Sequence, residues 1–112
     1  METEVEDPVR LRELRDPVKC CYKVSDTDVE CLIRIVELSK PIDAEEMSKI
    51  MGLSKTTVET SLKRLMELGL VVRKRLEGRK IGRPKYVYST IDGLMSKVKK
   101  DLDQCVKRIA LM

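Results

Sequence analysis

Between Ser54 and Lys85 the chain gathers short hydroxyls and cations at helical spacing, then a further run of cations in a β-prone segment. On a helix starting at Ser54, Val58, Leu62 and Leu65 share one face, and Thr56, Thr60, Lys63 and Glu67 fall on the opposite one. Lys55 and Thr57 stand in the exposed first turn, and Glu59 and Arg64 flank the polar face. These residue types match the edges of base pairs in a major groove. Threonine bonds a base edge or touches a thymine methyl, lysine donates to guanine, and Glu59 accepts from cytosine N4. Ser54 and the first-turn amides are free to hold a phosphate oxygen. Glu59 and Lys63 also make an ordinary i,i+4 helix pair, so the same face reads as solvated surface when taken alone.

The next segment favours the base-reading face. Arg73, Lys74, Arg75, Arg79, Lys80, Arg83 and Lys85 place seven cations in 13 residues, which no core-packing argument requires. Beside a base-reading helix they would hold the phosphate backbone, supplying affinity and orientation but little discrimination. Within Gly82-Arg83-Pro84 the proline fixes an extended backbone, so Arg83 is suited to a narrow minor groove. That tripeptide resembles the core of AT-hook peptides, with Ile81 where those usually carry another Arg; a plain turn is the rival reading. Residues 54–85 hold 10 basic and 3 acidic side chains, against 8 and 13 in residues 1–53. A positive footprint of this kind fits a polyanion.

The elements that must position these residues are legible from caps and periods. Asp7-Pro8 and Asp16-Pro17 start two short helices, about 8–15 and 17–23. Thr27 with Glu30 has capping-box spacing for the next helix, with Ser25 and Asp28 a close rival, and Pro41 stops it. Its apolar residues lie on two faces, Val29, Leu32, Ile33 and Val36 on one and Cys31, Ile35 and Leu38 on the other, so it should be buried on both. Asp43 caps a helix over 44–51 that Gly52 ends, and Ser54 caps the next, over 55–68. Two helices across so tight a turn make a helix-turn-helix. Residues 70–76 and 85–90 then form a β-hairpin with a basic tip.

From Ile91 to Met112 the period is helical again. Ile91, Met95, Val98, Leu102, Cys105, Ile109 and Met112 alternate at spacings of four and three, a heptad seam. A seam that narrow calls for a second helix. A partner subunit is the expected occupant, and packing back on its own domain is the alternative.

The remaining composition excludes more than it identifies. No run approaches the roughly 18 apolar residues of a membrane span, and the N-terminus lacks a signal-peptide pattern; a cytoplasmic chain is expected. There is no His, no glycine-rich phosphate loop and no nucleophile motif, so no catalytic residue, metal site or cofactor is expected. Cys20 and Cys21 are vicinal, a poor pair for a disulfide with each other, and Cys31 and Cys105 sit at apolar helix positions where a free thiol packs as a small hydrophobe. A thiol- or metal-responsive site would need the terminal helices to bring these cysteines together.

The segment GLSKTTVETSLKRLMELGLVVRKR resembles the recognition region of winged-helix regulators of the MarR, ArsR and TrmB groups, and GRPKYVYS is similar to the wing end of small archaeal regulators. The resemblance covers about residues 25–90. It implies a transcriptional regulator that binds double-stranded DNA. TrmB-type proteins add a large effector domain, and MarR-type chains are longer around their dimerisation helices, so no small-molecule effector is assigned. The expected architecture is mainly α with a small β-hairpin. It comprises an N-terminal helical extension (1–24), a winged helix-turn-helix (25–90) and a C-terminal dimerisation helix (91–112), the chain acting as a homodimer. The rival readings are a winged helix used for protein interaction and a binder of single strands, for which Tyr86 and Tyr88 would be the only stacking groups on the hairpin.

Overall fold

The computed structural model describes residues 8–76 and 85–111. Helices α1 (Pro8–Glu13) and α2 (Arg15–Tyr22) precede α3 (Asp26–Leu38), α4 (Ala44–Met51) and α5 (Lys55–Glu67). Strands β1 (Val71–Arg75) and β2 (Tyr86–Thr90) follow, and α6 (Leu94–Ala110) closes the order. This is the mainly helical winged helix-turn-helix that the sequence predicts.

Caps explain most boundaries. Asp43 accepts from the Glu46 amide at 2.7 Å to open α4, and Ser54 accepts from the Thr57 amide at 3.1 Å to open α5. Gly52, at φ 68°, supplies the left-handed residue that lets the chain turn from one to the other. At α3 the capping box is Ser25 with Asp28, not Thr27 with Glu30. The Glu30 carboxylate is instead engaged by Arg15 at 2.9 Å, Arg34 at 2.9 Å and Arg12 at 3.3 Å. The Arg12 and Arg15 contacts clip α1 and α2 onto α3.

Strands β1 and β2 pair antiparallel with Val71 opposite Thr90 and Arg75 opposite Tyr86. A third short edge, not foreseen from the sequence, comes from Ile42, whose N–H and C=O both bond Tyr88, at 3.0 and 2.8 Å. Pro41 extends the chain there just before α4 begins.

One core runs through all the helices. Helix α3 is buried on both faces as expected, packed by α5 and β2 as well as by α1 and α2. Leu11 of α1 and Val18 of α2 are buried with it, each contributing about 1.5–3 kcal/mol. The two short helices therefore pack into the same body.

Helix α6 departs from its expected form in two respects. It starts at Leu94, because Gly93 at φ 71° breaks the backbone after Ile91. Its seam is also largely occupied by its own chain. Met95, Val98 and Leu102 lie in the protomer core, Cys105 is only 7% exposed, and Ile91 is half-buried. Helix α2 packs against α6, with Tyr22 donating to Asp101 at 2.6 Å. The heptad thus records packing within the chain at Met95, Val98, Leu102 and Cys105. Ile109 stays exposed, alongside Val106 and Leu111, and Met112 lies outside the described residues. No described helix is long and apolar enough to cross a membrane.

Candidate nucleic-acid interface

Helix α5 turns Val58, Ser61, Leu62 and Leu65 into the core. That orientation leaves Lys55, Thr56, Thr57, Glu59, Thr60, Lys63 and Arg64 exposed, on the side expected from the spacing. The hairpin faces part of this surface. Lys55, Glu59, Lys63 and Met66 form one wall of a groove of about 690 Å³, and Arg73, Tyr86 and Tyr88 form the other. Cations from the helix and from the strand therefore line one concavity.

The groove has internal structure. The Arg73 guanidinium lies 4.1 Å from the centroid of the Tyr86 ring, a cation–π contact that limits where the charge can go. Tyr88 is 7% exposed and pairs with Ile42 through its backbone, so it cannot serve as a stacking platform. Arg75 is exposed at the strand end. Lys85 is drawn toward Asp43, with Nζ 3.4 Å from Oδ2, and so lies beside the start of α4. Arg79, Lys80 and Arg83 fall outside the described residues.

At the start of α5 one expectation needs correction. The Ser54 hydroxyl accepts from the Thr57 amide at 3.1 Å and donates to Thr57 Oγ1 at 2.9 Å. It is a helix cap and not a free phosphate ligand; the amides of Lys55 and Thr56 remain at the open end by helix geometry. Thr60 donates its hydroxyl to the Thr56 carbonyl at 3.0 Å, leaving the oxygen as acceptor. Arg64 is anchored, not swinging free. Its Nη1 reaches Asp28 Oδ2 at 3.0 Å while its side chain stays 49% exposed.

Asp28 is the residue that sequence reasoning missed as a site element. It is fully buried, and it accepts from Ser61 Oγ at 2.6 Å, Arg64 Nη1 at 3.0 Å and the Ser25 amide at 3.1 Å. Burial pushes its carboxyl up, but the bonds from Ser61, Ser25 and Arg64 outweigh this and hold it below the ordinary carboxylate range. The start of α3 is thereby fastened to the middle of α5. The available signal was the buried side of α5, where Ser61 sits between Val58 and Leu62 and needs a polar partner.

Among the described residues no group of three or more His, Cys, Asp or Glu side chains converges as a metal site. Two cysteines are bonded to each other, Cys21 and Cys105, which the sequence did not reveal; Cys31 is buried and free, and Cys20 is exposed and free.

The family described as the sugar-specific transcriptional regulator TrmB matches residues 18–95. None of the curated proteins matches the chain. Among solved structures, a protein from the thermoacidophilic archaeon Sulfolobus tokodaii is 47% identical with a TM-score of 0.82, over 91% of this chain and 96% of that one. A possible transcriptional regulator from Methanosarcina mazei Go1 is 21% identical with a TM-score of 0.76, over 87% and 79% of the two chains. A MarR transcriptional regulator from the same organism is 18% identical with a TM-score of 0.57, over 89% and 71%. At those identities the two Methanosarcina structures speak to the fold alone.

Proposed function

This chain belongs to the TrmB family of transcriptional regulators, and we propose that it acts in the cytoplasm by binding double-stranded DNA as a homodimer. The observation that carries the reading is the shared groove: α5 offers Lys55, Glu59 and Lys63 across from Arg73 on the hairpin, while its opposite face is committed to the core. Helix α5 enters the major groove. Thr56, Thr60 and Lys63 read base edges, with Glu59 available to accept from cytosine. Lys55, Thr57 and Arg64 contact phosphates at the groove edge. Arg73, Arg75 and the wing-tip cations Arg79, Lys80 and Arg83 hold the adjacent backbone, and Arg83 reaches the minor groove. Lys85 contributes charge at the base of the wing.

Two copies assemble through the exposed end of α6, where Val106, Ile109 and Leu111 remain uncovered in the protomer. A two-fold dimer sets its recognition helices on successive major grooves, about 34 Å apart, and selects a roughly palindromic site. The test is selection from a random duplex library followed by affinity measurement on the selected site. Enrichment of an inverted repeat, lost in Lys63→Ala, supports the reading; no enrichment above the input library refutes sequence-specific binding.

A further inference from the structure

Helix α6 is held to the body by two kinds of attachment. Near its start Leu94, Met95, Val98 and Leu102 are buried in the core, and Tyr22 bonds Asp101 at 2.6 Å. Beyond Leu102, Cys105 is the one buried residue of α6 among the described residues, and it is bonded to Cys21 of α2 across a separation of 84 residues. Residues 103, 104 and 106–110 of the helix are exposed. Among the described residues the disulfide is therefore the last anchor of the helix.

We propose that Cys21 and Cys105 are a reversible two-electron redox site, whose disulfide pins the distal turns of α6 to α2 and whose dithiol form releases them. Cys21 is half-buried whereas Cys105 is 7% exposed, so an incoming thiolate reaches the Cys21 sulfur first. That attack forms a mixed disulfide on Cys21 and expels the Cys105 thiolate. A second thiolate, from the same small-molecule or protein dithiol, displaces Cys21 and leaves with the first as an oxidised disulfide. A peroxide closes the cycle. One cysteine thiolate takes up an oxygen as a sulfenic acid, releasing water or alcohol, and the other thiolate displaces hydroxide to restore the bond.

The other two cysteines do not share this role. Cys31 is fully buried, and burial together with the Asp28 charge pushes its thiol up to about 12. Cys20 projects about 100° around the helix from Cys21 and stays free at the surface. The released segment carries Val106, Ile109 and Leu111, so a consequence for assembly follows only if the dimer reading above is right; the site itself does not depend on it.

The test uses the full chain. After oxidation and unfolding, a maleimide should label two cysteines, Cys20 and Cys31, and after reduction with dithiothreitol all four. Hydrogen exchange of residues 103–108 should be at least tenfold faster in the reduced chain, with α5 unchanged. Cys21→Ser should exchange as the reduced form under oxidising conditions, and Cys20→Ser should behave as wild type. Should Cys21→Ser fail to fold, the reduced wild-type chain gives the same readout. Full labelling after oxidation, equal protection of residues 103–108 in both redox states, or a bridge that survives Cys21→Ser overturns the proposal.

Discussion

The hydroxyl of Ser61 on α5 donates to the buried carboxylate of Asp28 on α3 at 2.6 Å. The same carboxylate takes the Arg64 guanidinium at 3.0 Å on its other oxygen. One acid thus caps α3, satisfies the only polar side chain on the inward face of α5, and aims a cation at the outward one.

Removing that acid should be felt as lost stability. Asp28→Ala leaves Ser61, Arg64 and the Ser25 amide without their acceptor and should destabilise the chain by about 2–4 kcal/mol, with Asp28→Asn in between. Urea unfolding midpoints at neutral pH measure this directly. Midpoints equal to wild type would show that the carboxylate does not join the two helices.

The pH dependence follows from the same bonds. The Asp28 carboxyl is held below its ordinary value in the folded chain. Its stabilisation is therefore complete above the unfolded value of about 4 and is lost as pH falls through the lower folded value. Unfolding midpoints should drop steeply below about pH 4 in wild type. Asp28→Asn should show a shallower drop over the same range.

Ser61→Ala and Arg64→Ala should separate stability from binding. Ser61 is buried, so its loss should lower stability by about 1–3 kcal/mol through an undersatisfied carboxylate. Arg64 is half exposed, and its ion pair should contribute no more than about 1 kcal/mol. Duplex affinity should fall more for Arg64→Ala than for Ser61→Ala once both are measured well below their melting points.

Base contacts and phosphate contacts should respond differently. Lys63→Ala should reduce the preference for the selected site, by a factor of about 5 to 150 for about 1–3 kcal/mol of lost discrimination. Arg73→Ala or Arg75→Ala should weaken all sequences alike and reduce the salt slope by about 1. Competition titrations with specific and scrambled duplexes distinguish the two patterns.

For α6, Met95→Ala and Ile109→Lys should have opposite signatures. Met95 is 3% exposed within the protomer, so its truncation should lower the unfolding free energy by about 2–5 kcal/mol. Ile109 is 53% exposed, and a lysine there should leave the protomer folded but shift a dimer toward monomer in sedimentation velocity. An unchanged oligomeric state would place the dimer contact elsewhere.

Much of the architecture was legible because local chemistry dictates it. Asp43, Gly52 and Ser54 announce their helix ends in sequence, and the spacing of Val58, Leu62 and Leu65 orients α5 without reference to the rest of the fold. What escaped depends on contacts between distant residues. A first-turn acid such as Asp28 looks like any helix-capping carboxylate until α5 is seen to cover it. The α6 seam shows that a helix is covered but not by which chain, and Cys21 and Cys105 stand 84 residues apart with no local pattern to pair them. The groove was half legible: Lys55, Glu59, Lys63 and Arg73 were marked as DNA contacts and Tyr86 only as a hairpin aromatic, whereas Met66 and the cation held over the Tyr86 ring emerged only from the fold.

The most direct test of DNA binding is fluorescence anisotropy with a generic 30-base-pair duplex across a salt series, beside the matching single strand. Duplex affinity should fall steeply, with a log–log slope on the order of −5 or beyond, and the single strand should bind more weakly at every salt concentration. Weak, salt-insensitive binding, or a preference for the single strand, would contradict recognition of the duplex by α5 and the basic hairpin.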